Sequence, residues 1–202
     1  RYSMPPADLP VVAALRQPDQ YLITPPPAAD DPGQQRWHEQ LQRAVSSGQQ
    51  RIQLRLPPET PQRQQLLQQV VHTHRRGVQW LLNRDIALAQ ALGVGVHLGS
   101  EQLLQLQERP LPAGQLVAAS CHDLAQLQAA QRLGCDFAVL GPVQATPSHP
   151  GAAPLGWPAF AALRAQVSLP IYALGGLSAD DIGAARRHGG QGVAAIRGLW
   201  PA

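Results

Sequence analysis

Residues 168–198 read SLPIYALGGLSADDIGAARRHGGQGVAAIRG. A short apolar run, PIYAL at 170–174, ends at Gly175 and Gly176. A helical stretch over 178–188 opens at Ser178, with Asp180 and Asp181 in its first turn, where carboxylates suit the helix dipole. Gly189 and Gly190 stop it, and a second run, GVAAI at 192–196, ends at Arg197 and Gly198. The stretch is one strand–helix–strand unit.

The same unit recurs upstream. Short apolar or β-branched runs stand at 20–24 (QYLIT), 51–56 (RIQLRL), 78–82 (VQWLL), 94–98 (VGVHL), 115–120 (QLVAAS) and 136–140 (DFAVL). With the two above they make eight. They are continuous rather than alternating, as strands covered on both faces should be. Helical segments lie between most of them. Residues 60–76 open on Thr60 as N-cap with Pro61 behind it, and close at Gly77. Leu66, Leu67, Val70, Val71 and His74 share one face of that segment. Residues 122–133 carry a stripe of Leu124, Leu127, Ala130 and Leu133 and end at Gly134. Eight such repeats predict an α/β fold, a compact (β/α)8 TIM barrel over 19–202, with a doubly wound sheet as the alternative. Only RGLWPA follows the last run, so the final helix is short or missing. The face it would cover is expected to be closed by the N-terminal segment or by a partner chain. The Pro-rich residues 1–18 read as a linker or the tail of an upstream domain.

Composition narrows the chemistry. Of 202 residues, 44% are hydrophobic and 14% charged, enough apolar material for a core and too little charge for a disordered chain. Two cysteines fit a reducing cytoplasm rather than a disulfide scaffold. No apolar run approaches the roughly 20 residues that span a bilayer, so no membrane partner is expected. The net charge of +3 is scattered, which gives nucleic-acid binding no support. All 16 basic side chains are arginine. Without lysine there is no Schiff-base nucleophile and no Walker-type phosphate loop.

In such a barrel, function sits at the C-terminal ends of the strands. Gln53 and Arg55 share a face of the second run, and Asn83, Arg84 and Asp85 follow the third. His97 ends the fourth, ahead of Ser100, Glu101 and Gln102; Ser120, Cys121 and His122 end the fifth. Thr146 lies in the long loop after the sixth. Gly175, Gly176 and Ser178, with Ile196 and Arg197, occupy the usual phosphate-binding corner, where glycine lets backbone N–H groups approach an anion. An imidazole at His122 is placed either as a general acid/base or as a solvent-exposed residue opening a helix. His97 reads as a hydrogen-bonded structural residue and Cys121 as a buried thiol pointing outward. Asp85 and Glu101 are the only carboxylates near these ends, thin material for a metal site.

Taken in order, QYLIT, QLR, the Asn83 region, HLGSE, S-x-H, GCDFAVLGPVQATPS, PLGW, PIYALGGLS and GVAAIRG resemble the thiamin-phosphate synthase/TenI family over residues 20–199. The resemblance implies a TIM barrel. It implies, for the synthases, joining of a pyrimidine diphosphate to a thiazole phosphate with Mg²⁺. Gln53, Arg55 and Asn83 match the family's pyrimidine-diphosphate positions. The following lysine is Pro57, the adjacent metal aspartate is Arg84, the second is Gln102, and the loop lysine is at best His149. With metal carboxylates and diphosphate lysines gone, the expectation is no cofactor and no synthase activity. Ser120, His122 and the glycine corner match the thiazole-phosphate end. The TenI branch, a thiazole tautomerase, keeps that end, with the histidine matching His122 as acid/base. Gln53, Arg55, Asn83, His97, Ser120 and Thr146 are then expected to contact a small phosphorylated ligand, and Gly175, Gly176, Ser178, Ile196 and Arg197 its phosphate. A non-catalytic phosphorylated-ligand-binding or regulatory module is the alternative. The N-terminal stub resembles the junction of fusion proteins in which a Nudix (MutT-type, 8-oxo-dGTP diphosphatase) domain precedes a TenI-like barrel. That makes such a domain, or a second copy in a homodimer, an expected partner.

Overall fold

The computed structural model describes residues 17–147, 150–151 and 153–202. Eight parallel strands hydrogen-bond in sequence order into a closed barrel, β8 returning to β1. Chain order is β1 (Gln20–Ile23), α1 (Asp31–Ser46), β2 (Arg51–Leu54), α2 (Arg63–Thr73), β3 (Gln79–Asn83), α3 (Ile86–Leu92), β4 (Gly95–Leu98) and α4 (Ser100–Gln105). Then come β5 (Val117–Cys121), α5 (Leu124–Leu133), β6 (Phe137–Leu140), α6 (Gly156–Arg164), β7 (Ile171–Leu174), α7 (Ile182–Arg187) and β8 (Gly192–Ala195). The open doubly wound sheet is thereby excluded, and each of the eight predicted runs holds one strand. Among the described residues no helix is long and apolar enough to cross a membrane.

Strand alternation sorts side chains into two layers. Leu22, Ile52, Leu54, Trp80, Leu82, Val96, Leu98 and their counterparts point outward into one continuous core beneath the helices. Tyr21, Ile23, Leu81, Ala118, Phe137, Val139, Tyr172 and Ala194 fill the lumen. Its floor is aromatic. Tyr21 meets Phe137 edge-on at 5.0 Å between ring centroids, and Phe137 meets Tyr172 at 5.3 Å. Arg51 lies 4.4 Å over the Phe137 ring, donating from Nε to Gln79 Oε1 (2.9 Å) and from an Nη to the Tyr172 hydroxyl (2.9 Å). That stacking suits guanidinium, the more weakly hydrated of the common cations. Below it, the Tyr172 hydroxyl donates to the Pro18 carbonyl (2.6 Å), and Gln191 Nε2 donates to the Gln17 carbonyl (3.1 Å). The rest of the 1–18 segment, including the stretch that carries the Nudix junction reading, lies outside the described residues.

Helix boundaries depart from the sequence reading in three places. α2 starts at Arg63, not Thr60: Gln62 takes a left-handed conformation (φ 52°), and Thr60 sits in the preceding turn, accepting from the Arg63 N–H. It ends at Thr73, short of Gly77. α5 starts at Leu124, because Asp123 is the N-cap, its carboxylate accepting from the Gln126 N–H. His122 therefore precedes the helix instead of opening it. The predicted 178–188 helix is a 3₁₀ turn, Ala179–Asp181, followed by α7.

β8 is followed by a turn and a short tail, with no helix among the described residues. The gap it leaves was expected to need the N-terminal segment or a partner. Among the described residues the chain's own tail packs there: Leu199 and Trp200 join the outer core, and Trp200 lies 6.0 Å from Trp37 of α1. Gln40 Nε2 donates to the Pro201 carbonyl (3.0 Å) and Arg43 donates to an Ala202 oxygen (2.6 Å), tying α1 to that tail.

Candidate active site

A cavity of about 550 Å³ opens at the C-terminal ends of the strands. Its lining includes every residue expected from the sequence to contact the ligand or its phosphate: Gln53, Arg55, Asn83, His97, Ser120, His122, Thr146, Gly175, Gly176, Ser178, Ile196 and Arg197. Three lining residues are arginines, Arg55, Arg84 and Arg197, and no described lining residue is a carboxylate. The cavity lining is therefore electropositive, a setting that favours anions over cations.

At its base runs a hydrogen-bonded chain of four side chains. Gln53 Nε2 donates to the Tyr21 hydroxyl (3.1 Å), and Tyr21 lies 2.9 Å from His97 Nδ1. His97 Nε2 lies 2.8 Å from Ser120 Oγ. With the phenol oxygen accepting from Gln53, its proton goes to Nδ1 of His97. The imidazole proton then sits on Nε2 and is donated to Ser120. Register places Asn83 opposite His97 and His97 opposite Ala118, so the chain crosses the lumen. Sequence reasoning missed Tyr21, because that residue looks like any strand aromatic until the register shows which groups it meets.

His97 is 3% exposed, and both ring nitrogens are engaged, as the structural reading expected. Burial, with the charge of Arg55, lowers its pKa from 6.5 to about 3. The unfolded chain thus takes up a proton near pH 6.5 that the folded chain refuses until near pH 3. This contribution to stability is complete above pH 6.5 and is lost as pH falls between those values. The same direction holds for His38 and His74, both lowered by burial. Urea titrations are expected to show unfolding free energy falling by about 2 kcal/mol between pH 7 and 5 on account of His97. Most of that slope disappears in His97→Asn.

His122 differs. It is exposed at the mouth, and its backbone N–H donates to Gln126 Oε1 (2.7 Å), which fixes the accepting atom of that amide as oxygen. Nδ1 of His122 lies 3.1 Å from the same oxygen and 3.1 Å from Ser100 Oγ. The Ser100 hydroxyl donates to the Ser120 carbonyl (2.8 Å), so towards His122 it accepts. Both neighbours require a proton on Nδ1, which makes Nε2 the basic nitrogen. Cys121 faces the other way: it is 1% exposed within the outer core, and burial pushes its thiol pKa up. It is inert as a nucleophile.

At the β7 and β8 ends, Gly175 and Gly176 have φ of 113° and 70°, conformations that side chains rarely adopt. A Cβ on Gly176 would lie 3.1 Å from the Ala145 carbonyl oxygen. Ser178 contributes less than its position suggested. Its N–H donates to Asp181 Oδ2 (2.9 Å) and its hydroxyl accepts from the Asp180 N–H (3.3 Å). That helix entrance is already capped. The N–H groups of Gly176 and Arg197 donate to nothing among the described residues, which leaves them open to an anion.

The divalent cation that the family resemblance implies does not fit these residues. Among the described residues no group of three or more His, Cys, Asp or Glu could hold a metal ion. Asp85 is spent: one oxygen accepts from the Leu88 N–H as the α3 N-cap (3.1 Å), and the other pairs with Arg63 (3.1 Å). Gln102 bridges two backbones, donating to the Arg84 carbonyl (2.9 Å) and accepting from the Gly99 N–H (3.2 Å). Thr146 lines the cavity, whereas His149 lies outside the described residues.

The sequence matches the family described as thiamine monophosphate synthase (TMP-TENI) over residues 20–199. It is 33% identical over 129 residues to a thiamine-phosphate synthase of Thioalkalivibrio sulfidiphilus, a match covering 62% of this chain and 61% of that protein. A Synechococcus thiamine-phosphate synthase is 35% identical over 188 residues, covering 88% of this chain and 51% of its own length. The matches thus span about half to three fifths of these relatives. A thiamine phosphate pyrophosphorylase from Pyrococcus furiosus superposes with a TM-score of 0.63 at 20% identity, covering 88% of this chain and 85% of that one. That likeness carries the fold.

Proposed function

The chain belongs to the thiamine monophosphate synthase family, and from that premise we propose that it binds a small phosphorylated heterocycle and moves a proton on it without a metal, as a thiazole phosphate tautomerase does. One observation carries the reading: a cavity with three arginines, no carboxylate among its described lining residues, and a histidine at its mouth whose basic nitrogen is Nε2. The ligand's phosphate sits on the Gly176 and Arg197 N–H groups. Nε2 of His122 takes a proton from one ring position and returns it to another, so that atoms and charge balance with no co-reactant. Condensation with loss of pyrophosphate asks for more. The departing charge must be neutralised, and the carboxylates that would hold a cation for that purpose are replaced or engaged.

The test is turnover of a thiazole phosphate tautomer by the purified chain in EDTA, followed by proton NMR. Isomerisation is expected in EDTA, and no thiamin phosphate when Mg²⁺ and both synthase substrates are supplied. Ligand-induced thermal stabilisation without turnover would make the barrel a binding module instead. Robust Mg²⁺-dependent condensation would overturn the reading.

A further inference from the structure

Arg51 is a buried cation that the proposed chemistry does not use. It is 1% exposed, at the start of β2, one layer below Gln53 on the same face of the strand. Among the described residues no carboxylate pairs with it, the ion pairs there being Arg63–Asp85 and Arg109–Asp136. Neutral groups hold its guanidinium instead: the Phe137 face at 4.4 Å, Gln79 Oε1 and the Tyr172 hydroxyl. Tyr172 does not neutralise it. That hydroxyl spends its proton on the Pro18 carbonyl, and burial pushes its pKa up to about 12. Asp19 is near enough to act on Tyr172 yet forms no ion pair with Arg51. Arginine keeps its charge where burial would discharge a lysine. An unpaired positive charge thus stands under the Gln53–Tyr21–His97–Ser120 chain. Phe137 and Tyr172, the rings that it touches, both pack against Tyr21.

Two hydrogen-bonding senses fit the distances in that chain. In one, Gln53 donates to Tyr21, Tyr21 to His97 Nδ1, and His97 Nε2 to Ser120. In the other, the Gln53 amide is turned over and every donor is reversed. We propose that Arg51 is a positioning residue whose charge selects the first sense, displacing the shared hydrogens from Tyr21 at the floor end towards Ser120 at the cavity end. Hydroxyl, amide and imidazole dipoles orient in such a field, which is strong where no water screens it. Burial holds the Tyr21 phenol above its ordinary pKa, while the Gln53 amide and the Arg51 charge act the other way and make its hydroxyl a better donor to His97. Arg55 also acts on His97, from the cavity side, but it is exposed and therefore screened by solvent. The consequence reaches the cavity. His97 keeps its proton on Nε2, and Ser120, accepting it, retains its own hydroxyl hydrogen for the cavity that it lines. The inference deepens the proposed function and rests on it only in taking this cavity as the reactive site.

The experiment records long-range ¹H–¹⁵N spectra of the histidine rings at pH 7 in the ¹⁵N-labelled, ligand-free protein, so it needs no turnover. The wild type is expected to show a neutral His97 protonated on Nε2. Arg51→Met fills the floor with an apolar chain, and the melting temperature should hold, since apolar replacement of a buried charge is often neutral or stabilising. The Nδ1-protonated fraction of His97 should nonetheless rise several-fold. Arg51→Gln, uncharged but still able to donate, should do the same. Tyr172→Phe keeps the charge and the ring. Whatever its stability, its His97 ring shifts should match those of the wild type. The proposal is overturned if wild-type His97 carries its proton on Nδ1, or if either uncharged variant, once folded, leaves His97 as in the wild type. It is overturned equally if Tyr172→Phe moves His97 as far as Arg51→Met does, which would assign the effect to the hydroxyl rather than the charge. Absence of tautomerase turnover beside an intact Arg51 effect would sink the proposed function and leave this inference standing.

Discussion

Truncating Tyr21 to alanine is expected to lower unfolding free energy by about 3–5 kcal/mol, measured by urea denaturation at pH 7. Tyr21 has no exposed surface, and it is the hub of the lumen. Its ring packs against Phe137 at 5.0 Å and Tyr172 at 5.7 Å, so removing it opens a cavity that the closed barrel cannot collapse around. Its hydroxyl joins Gln53 to His97, so the same truncation strips a partner from an amide and an imidazole, both buried. Tyr21→Phe separates the two terms. The ring remains, and the expected cost drops to about 1–3 kcal/mol, the penalty for leaving those two groups short of a partner. Equal costs for the two variants would mean that the hydroxyl, not the ring, holds the lumen together. A negligible cost for phenylalanine would mean that water replaces it from the cavity.

The strands were legible because a barrel strand is covered on both faces and therefore reads as an unbroken apolar run. No strand end moved by more than two residues. Helices were harder. α1 went unassigned because only Trp37, Leu41 and Ala44 of its 16 residues are buried, and glutamine, arginine and glutamate dilute that stripe. α2 started late because Gln62 breaks the helical path in a way no propensity signals. The turn at the end of β7 could be read in part, since Gly175 and Gly176 mark a backbone turn that sequence displays. The network through Tyr21, His97 and Ser120 could not, since it depends on strand register: Tyr21 lies opposite Ala194, and His97 opposite Asn83. Substitution of a metal carboxylate by Arg84 was visible in the sequence. Where its guanidinium lies was not, because it occupies the side that Gly99 leaves open while Gln102 holds its carbonyl.

His122→Ala is expected to reduce tautomerase turnover in EDTA by about 10²- to 10⁴-fold, the usual loss for a general acid/base, with the melting temperature unchanged. The fold should not notice. The side chain is exposed, α5 is capped by Asp123 rather than by His122, and the backbone N–H that binds Gln126 survives the substitution. Ligand affinity should change little, because the donors proposed for the phosphate are the N–H groups of Gly176 and Arg197, not the imidazole. Gln126→Leu gives the sharper discrimination. It keeps the imidazole and removes the oxygen that holds the proton on Nδ1, leaving Ser100 as the acceptor named for it. With one acceptor in place of two, the other tautomer gains population, and only the one with basic Nε2 can take the substrate's proton. A several-fold drop in kcat with KM unchanged is expected, along with histidine ¹⁵N shifts at residue 122 moving towards the tautomeric average. Full activity in His122→Ala would place the proton transfer elsewhere. Ser120 would then be the group to examine, since its hydroxyl accepts from His97 and lines the same cavity.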